Sequence, residues 1–89
     1  MNSIVLITGA AKGIGKAIAM ELAKDHYDIV INYLHSKKEA DELRNFITEK
    51  YDVRCIAIQC DVSKEEQVDK MISQIEKEMG NVDVLINNA

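Results

Sequence analysis

The sequence predicts an α/β domain whose strands form a parallel sheet joined by crossover helices. Two observations carry this prediction: short apolar runs alternate with amphipathic helical patterns, and no linker or repeat interrupts the alternation. A third is a cluster of glycines between the first apolar run and the first helical pattern. We therefore expect the order β-α-β-α-β-α-β, with right-handed crossovers.

Each predicted strand is rich in isoleucine and valine with few polar interruptions, which is typical of strands buried on both faces of a sheet. The predicted strands are Ile4 to Ile7, Ile29 to Ile31, Val53 to Ile58 and Val82 to Ile86. Cys55 and Cys60 lie five positions apart around the third strand, so they should lie on opposite faces, too far apart for a disulfide. We expect buried thiols there and no metal site.

The predicted helices have apolar residues spaced three and four apart, so each should turn one apolar face to the sheet. These residues are Ile14, Ala17, Ile18 and Leu22 in the first helix, Ala40, Leu43 and Ile47 in the second, and Val68, Met71, Ile72, Ile75 and Met79 in the third. Ser36 and Glu39 fit a capping box that would begin the second helix. Ser63 and Glu66 fit another before the third helix, which Gly80 would end.

Length and charge limit the classes of function. The 89 residues are enough for one small domain, and a net charge of −4 with a pI near 5.1 provides no basic surface for nucleic acid or an anionic membrane. The longest apolar stretches have four residues, and no basic leader precedes the first strand. We expect a cytoplasmic protein that binds neither nucleic acid nor membrane.

The glycine cluster predicts a phosphate-binding loop. Gly9, Gly13 and Gly15 lie where the first strand meets the first helix, so the backbone can approach an anion and the helix start can present free N–H groups. A tight turn without a ligand is the structural alternative. A Walker loop is excluded, because five residues separate Gly9 from Gly15 and Ala17 follows Lys16 where a hydroxyl is needed.

Three segments together resemble the short-chain dehydrogenase/reductase family. The segment from Thr8 to Gly15 resembles its cofactor loop, Asp61 and Val62 resemble an acid and apolar pair at the adenine, and 87–89 resembles its Asn-Asn-Ala-Gly motif. Alone, Asp61 would be interpreted as a strand end or turn and the asparagines as loop residues. The resemblance covers the whole chain, which is also similar to bacterial 3-oxoacyl-[acyl-carrier-protein] reductases.

The resemblance implies the N-terminal part of a Rossmann-like three-layer fold with strand order 3-2-1-4, so that residues 1–89 form a truncated NAD(P)-binding domain. It places the cofactor loop where the strand order changes direction, between the first and fourth strands. The implied cofactor-binding residues are Gly9, Ala10, Ala11, Lys12, Gly13, Ile14 and Gly15 at the pyrophosphate, Asp61 and Val62 at the adenine, and Asn87, Asn88 and Ala89 on the ribose side.

The end of the second strand favours NADP(H) over NAD(H). NAD-preferring sites commonly place an acid there, whereas residues 32–37 contain none. Lys12 could pair with a 2′-phosphate, as could His35, Ser36 or Lys37. The alternative for the lysines is a solvated surface. Tyr33 could line the adenine site or pack on the following helix.

No catalytic residue is expected in this chain. The family's Ser and Tyr-x-x-x-Lys pair follow the Asn-Asn-Ala-Gly motif, so the chain alone should be inactive. Tyr33 and Lys37 match the pair by letter only, because a strand end and a helix cap would not bring them to one helix face.

The predicted strand order leaves parts of the sheet uncovered. Right-handed crossovers place the first two helices on one face and only the third on the other. The fourth strand, Val82 to Asn87, would be an apolar edge open to another chain. We therefore expect the cofactor-binding segment of an NADP(H)-dependent reductase of a ketone. The alternative is a non-catalytic nucleotide-binding module, or a truncated remnant, that self-associates through the bare face or this edge.

Overall fold

The apolar runs form one parallel sheet in the computed structural model, which describes residues 2–89. The strands are β1 (Ile4–Ile7), β2 (Asp28–Tyr33), β3 (Cys55–Gln59) and β4 (Val84–Ile86), and the helices are α1 (Gly13–Lys24), α2 (Lys37–Lys50) and α3 (Glu65–Glu78). Neighbouring strands are parallel and lie in the order β3-β2-β1-β4. The predicted α/β class, element order and strand order 3-2-1-4 are confirmed.

Alternating side chains of β1 enter two separate apolar cores. Val5 and Ile7 pack with the residues of α1 and α2, whereas Ile4 and Leu6 pack with Met71 and other residues of α3. Such alternation follows from the two-residue period of a strand. Two helices therefore cover one face and one helix covers the other, as predicted.

The edge strand β4 is the exposed part of the sheet. Val84 and Leu85 keep 41% and 60% of their surface exposed. Leu85 lies in register with Leu6, whose side chain is buried beneath α3. The helix α3 thus covers β1 without covering β4, and the predicted apolar edge is confirmed.

Helix α1 differs from the prediction in the face that it turns to the sheet. Ile14 is 74% exposed and Ala17 is also exposed, while the buried residues are Gly15, Ala19 and Ala23. The predicted apolar face is therefore wrong at its first turn. Small residues allow the helix axis to approach the sheet closely, and this contact overrides the hydrophobicity of isoleucine.

Both predicted capping boxes are wrong. Ser36 precedes α2 without a side-chain capping bond, and Lys64 rather than Ser63 precedes α3. The Ser63 hydroxyl donates instead to Asp61. Gly80 does follow the end of α3, with a positive φ of 121° and its N–H donating to Ile75.

The amino end of the sheet is joined by a charged network. Asp28 is buried and accepts hydrogen bonds from the main chain and guanidinium of Arg54 and from Asn2, with Arg54 Nη2 at 2.8 Å. Arg54 also donates to the carbonyl of Met79. Burial raises the pKa of Asp28, but these bonds outweigh it and hold the pKa below its ordinary value. Because Asp28 has partners, β2 extends one residue beyond its apolar run at this end.

The two cysteines are free and buried in different cores. Burial raises the pKa of the Cys55 thiol to about 12, and it also raises the pKa of Cys60. Both thiols are therefore protonated at neutral pH, and their predicted placement on opposite faces is confirmed.

Across residues 2–89, every helix is too short or too polar to cross a bilayer.

Candidate functional site

The glycine-rich loop lies at the carboxyl end of β1, which has β2 on one side and β4 on the other. Helix α1, which follows β1, packs on one face of the sheet, whereas α3, which precedes β4, packs on the other, so the strand order changes direction here, where open α/β sheets bind ligands. Gly9 and Gly13 have φ values of 60° and 56°, a backbone conformation that favours glycine. The backbone path of the loop therefore requires glycine at positions 9 and 13.

Asn32 holds the loop from the β2 side. Its side-chain oxygen accepts from the Gly9 N–H at 3.2 Å, and its main-chain carbonyl accepts from the Ala10 N–H at 3.0 Å. Its side-chain amide donates to the Cys60 carbonyl at 3.1 Å. One buried amide thus joins the loop to the ends of β2 and β3.

The segment after β4 holds the same loop from the other side. The Asn88 side chain donates to the Gly9 carbonyl at 3.1 Å, so both polar groups of Gly9 are bonded. The main-chain N–H groups of Asn88 and Ala89 donate to the Thr8 hydroxyl, which donates in turn to Asn87. The structure therefore brings two of the predicted motifs into direct contact.

Position 15 requires glycine because its neighbours leave no space for a side chain. A methyl group at this position would lie 2.5 Å from the Gly9 carbonyl oxygen and 2.6 Å from the Asn88 side-chain nitrogen. Its absence lets the first turn of α1 touch the loop and the segment after β4. The missing side chain at Gly15 thus lets α1 pack against the backbone of the loop and the side chain of Asn88.

The start of α1 is open to an anion. The preceding residue, Lys12, makes no side-chain capping bond, and the first turn of α1 has no acidic residue. By contrast, the first turn of α2 contains Glu39 and that of α3 contains Glu65 and Glu66. The free N–H groups and the positive end of the helix dipole can therefore act on a bound phosphate at α1.

A cleft of about 230 Å³ joins this loop to the end of β2. Its lining residues are Gly9, Ala11, Lys12, Tyr33, Leu34, His35 and Ser36. Tyr33 is buried in the core beneath α2, as one interpretation had it, and it also lines the cleft, whereas its place at the adenine stays a prediction. Three of the predicted loop residues thus share one concave surface with residues 33–36 at the end of β2.

The two candidate lysines have different neighbours. Lys12 Nζ lies 3.4 Å from Glu39 Oε2 at the cleft. Lys37 Nζ lies 2.7 Å from Asp41 Oδ2 within α2, and this hydrogen bond raises the pKa of Lys37. Lys37 does not line the cleft, so Lys12 is the better placed cation.

Asp61 follows β3 beside the end of β2. Its carboxylate accepts from the hydroxyl of Ser63 at 2.6 Å and from the Ser63 N–H at 3.0 Å, and these bonds lower the pKa of Asp61. Its own N–H donates to the Gln67 side chain, and Val62 beside it is exposed. The carboxylate is therefore ionised and oriented, with an apolar side chain next to it.

Sequence analysis missed two residues of this region as site residues, Asn32 and Glu39. Asn32 could have been found, because it is a polar residue within the apolar run of a buried strand. Glu39 was interpreted as a helix cap, and no pattern in the sequence places it beside Lys12. Within residues 2–89, the structure has no group of three His, Cys, Asp or Glu residues arranged to hold a metal ion.

The strand order, glycine loop and cleft define a Rossmann-like α/β domain. The family model "short chain dehydrogenase" matches residues 3–89, and the chain belongs to that family. The predicted family is confirmed.

Two relatives and one solved structure illustrate the similarity. The chain is 43% identical to the 3-oxoacyl-[acyl-carrier-protein] reductase FabG of Staphylococcus epidermidis, over all of this chain and 36% of that reductase. It is 46% identical to the short-chain dehydrogenase/reductase homolog YusS of Bacillus subtilis, over all of this chain and 81% of YusS. L-sorbose reductase from Gluconobacter frateurii, complexed with NADPH and L-sorbose, superposes with a TM-score of 0.92 at 33% identity, over 99% of this chain and 33% of that one. The chain thus spans about a third of the FabG relative and most of YusS.

Proposed function

We propose that this chain is the N-terminal cofactor-binding segment of an NADP(H)-dependent oxidoreductase. The observation that carries the proposal is the uncapped start of α1, packed through Gly15 against a loop whose Gly9 is bonded on both sides. The missing side chain at Gly15 keeps main-chain N–H groups close to a ligand, and the fixed loop orients them. This arrangement suits the pyrophosphate of a dinucleotide.

The rest of the dinucleotide would follow the carboxyl edge of the sheet. Asp61 and Val62 would lie at the adenine, and residues 87–89 would lie on the ribose side. Support comes from the oriented carboxylate of Asp61 and from the direct contact of Asn88 with Gly9. The cleft between the loop and β2 would receive the adenosine ribose and its 2′-substituent.

A preference for NADP(H) rests on charge. Lys12 lines the cleft, and the end of β2 contributes no carboxylate to it. The side-chain ammonium would attract a 2′-phosphate, which carries more negative charge than a ribose hydroxyl. L-sorbose reductase, which was crystallised with NADPH, supports the same choice.

A ketone of the 3-oxoacyl type is the proposed substrate of the whole enzyme, with the identity to FabG as support. The bound cofactor would supply hydride, while this segment would hold and orient it. We propose that the 89-residue chain alone does not turn over substrate. Within residues 2–89, Tyr33 and Lys37 match the family's Tyr-x-x-x-Lys pair by letter. They cannot act as that catalytic pair because Tyr33 is in the core and Lys37 is bonded to Asp41.

Separate equilibrium titrations with NADPH and NADH test the proposal. Wild-type protein should bind NADPH at least about tenfold more tightly, and Lys12→Ala should remove most of that difference because it deletes one charge-assisted contact. Lys16→Ala is the matched control, since this lysine lies in α1 and does not line the cleft. Equal affinities for the two cofactors would contradict the preference, and no binding of either would contradict the function.

The apolar edge favours a second candidate function, a module that self-associates. Leu85 and Val84 are exposed on a strand whose outer edge is free to pair with another chain. Light scattering should then show a dimer that Leu85→Lys dissociates. Phe46→Lys, which changes an exposed apolar residue of α2, should leave the dimer intact. A monomeric wild-type protein at high concentration would eliminate this candidate.

A further inference from the structure

We infer that Glu39 is a specificity-determining residue, whose carboxylate competes with the 2′-phosphate of NADP(H) for Lys12. The inference rests on the proposed function and deepens it. The sequence pattern placed Glu39 in a helix cap, and the resemblance to the family gives this residue no role in cofactor binding. The ion pair with Lys12 is the observation that gives it a role.

The pair joins two segments of the chain beside the cleft, which Lys12 lines and Glu39 does not. Lys12 comes directly before α1, whereas Glu39 lies in the first turn of α2, three residues after Ser36. Lys12 and Ser36 both line the cleft. An anion bound between Lys12 and Ser36 would therefore contact the Lys12 ammonium from the cleft side. The Glu39 carboxylate contacts the same ammonium from α2.

The carboxylate of Glu39 carries its charge at neutral pH. A hydrogen bond from its own main-chain N–H, together with the contact with Lys12, lowers the pKa of Glu39. A 2′-phosphate entering the cleft would encounter this negative charge and a lysine that is already partly neutralised. A 2′-hydroxyl carries no charge, so NADH would not be repelled.

The size of the effect follows from exposure. The side chains of Lys12 and Glu39 are 64% and 44% exposed, and ion pairs of this kind are weak. Neutralising Glu39 should therefore change the affinity for NADPH by about two- to fivefold, with NADH affected less. Glu39 would moderate the preference for NADP(H) that Lys12 creates.

Cofactor titrations of Glu39→Gln at low ionic strength test this inference. The variant should bind NADPH about two- to fivefold more tightly than wild type, and the ratio of NADPH to NADH affinity should rise. Glu42→Gln is the matched control, because it removes the same charge one turn further along α2. In a Lys12→Ala background, Glu39→Gln should have less effect, since the group for which it competes is gone.

Three outcomes of these titrations would overturn the inference. NADPH binding unchanged by Glu39→Gln would do so while leaving the proposed function intact, as would an equal gain from Glu42→Gln. A wild-type protein that binds neither cofactor would overturn both the function and the inference.

A measurement without nucleotide examines the pair itself. The pKa of the Glu39 carboxyl group, followed by NMR, should rise in Lys12→Ala because an attractive charge has been removed. Lys24→Ala, in the last turn of α1, should leave it unchanged. An identical pKa of Glu39 in wild type and Lys12→Ala would show that the pair is absent in solution and would overturn the inference, whatever the cofactor titrations report.

Discussion

The two ends of the sheet are joined by different chemistry. At the carboxyl end, neutral groups of Asn32, Asn88 and Thr8 bond to the backbone of the glycine loop and of the segment after β4. At the amino end, the ionised pair of Asp28 and Arg54 joins β2 to the segment before β3 and reaches the end of α3.

This difference means that the groups that support the glycine loop are not the groups that would bind a phosphate. A charged network at the carboxyl end would place fixed charges beneath the loop, where they would add to or oppose an incoming phosphate. Neutral amides hold the loop without that effect, and the exposed charges of Lys12, which lines the cleft, and of Glu39 lie outside this support. At the amino end, Asp28 and Arg54 neutralise each other.

The largest expected effect is that of Gly15→Ala at the carboxyl end. The new methyl group would overlap the Gly9 carbonyl and the Asn88 side chain, so backbone must shift, at a cost of about 3 kcal/mol in the free energy of unfolding. Urea denaturation measures this loss. Gly13→Ala, where the space is open and only a positive φ opposes the change, should cost about 1 kcal/mol. Equal losses for the two variants would contradict the packing argument.

At the amino end, Arg54→Met should cost about 2 kcal/mol. The variant leaves the buried carboxylate of Asp28 without its cation, and the half-exposed position of Arg54 makes the loss smaller than for a fully buried pair. Denaturant melts should show the loss, while NADPH affinity at the far end of the sheet should be unchanged. Lys50→Met, at an exposed lysine, is the control. A large change in NADPH affinity would show that the two ends are not independent.

Asn32→Ala should have a smaller effect on stability but a clear one on binding. It leaves the Gly9 N–H and the Cys60 carbonyl without this partner, which should cost about 1.5 kcal/mol. The loop would keep only its main-chain bond from Ala10 to β2, so it would be held less firmly and NADPH affinity should fall. Asn45→Ala, at an exposed position of α2, should change neither quantity. Normal NADPH binding by Asn32→Ala would remove the supporting role of Asn32.

The smallest effect is a pH dependence that belongs to the amino end. The pKa of Asp28 is lower in the folded chain than its ordinary value of 3.8, so its ionisation stabilises the fold above that pH. The stabilisation is lost as the pH falls through the folded pKa. Denaturation midpoints measured from pH 7 to acid should therefore decline in wild type, and less steeply in Asp28→Asn. Identical acid profiles would assign the decline to other carboxylates.

Much of the fold follows from the sequence, because alternation of apolar runs and helical patterns is a local property. The periodicity of α3 predicted its buried residues, including Met71 and Ile75, since one helix face meets one core. The periodicity of α1 failed at Ile14, because the close approach of Gly15 to the loop turns that side chain outward. The capping box at Ser63 failed because its hydroxyl donates to Asp61 instead.

Residue types and their spacing predicted the element order, and the resemblance to a family predicted the strand order; the phosphate-binding role of the glycine cluster stays a prediction. These depend on residue type and spacing along one chain. The contacts between separate elements became known only from the tertiary structure. Asn32 and Asn88 hold Gly9 from two sides. Lys12 rather than Lys37 lines the cleft, and Glu39 faces Lys12. Those contacts join residues from separate elements, and their distances exist only once the sheet and helices have packed.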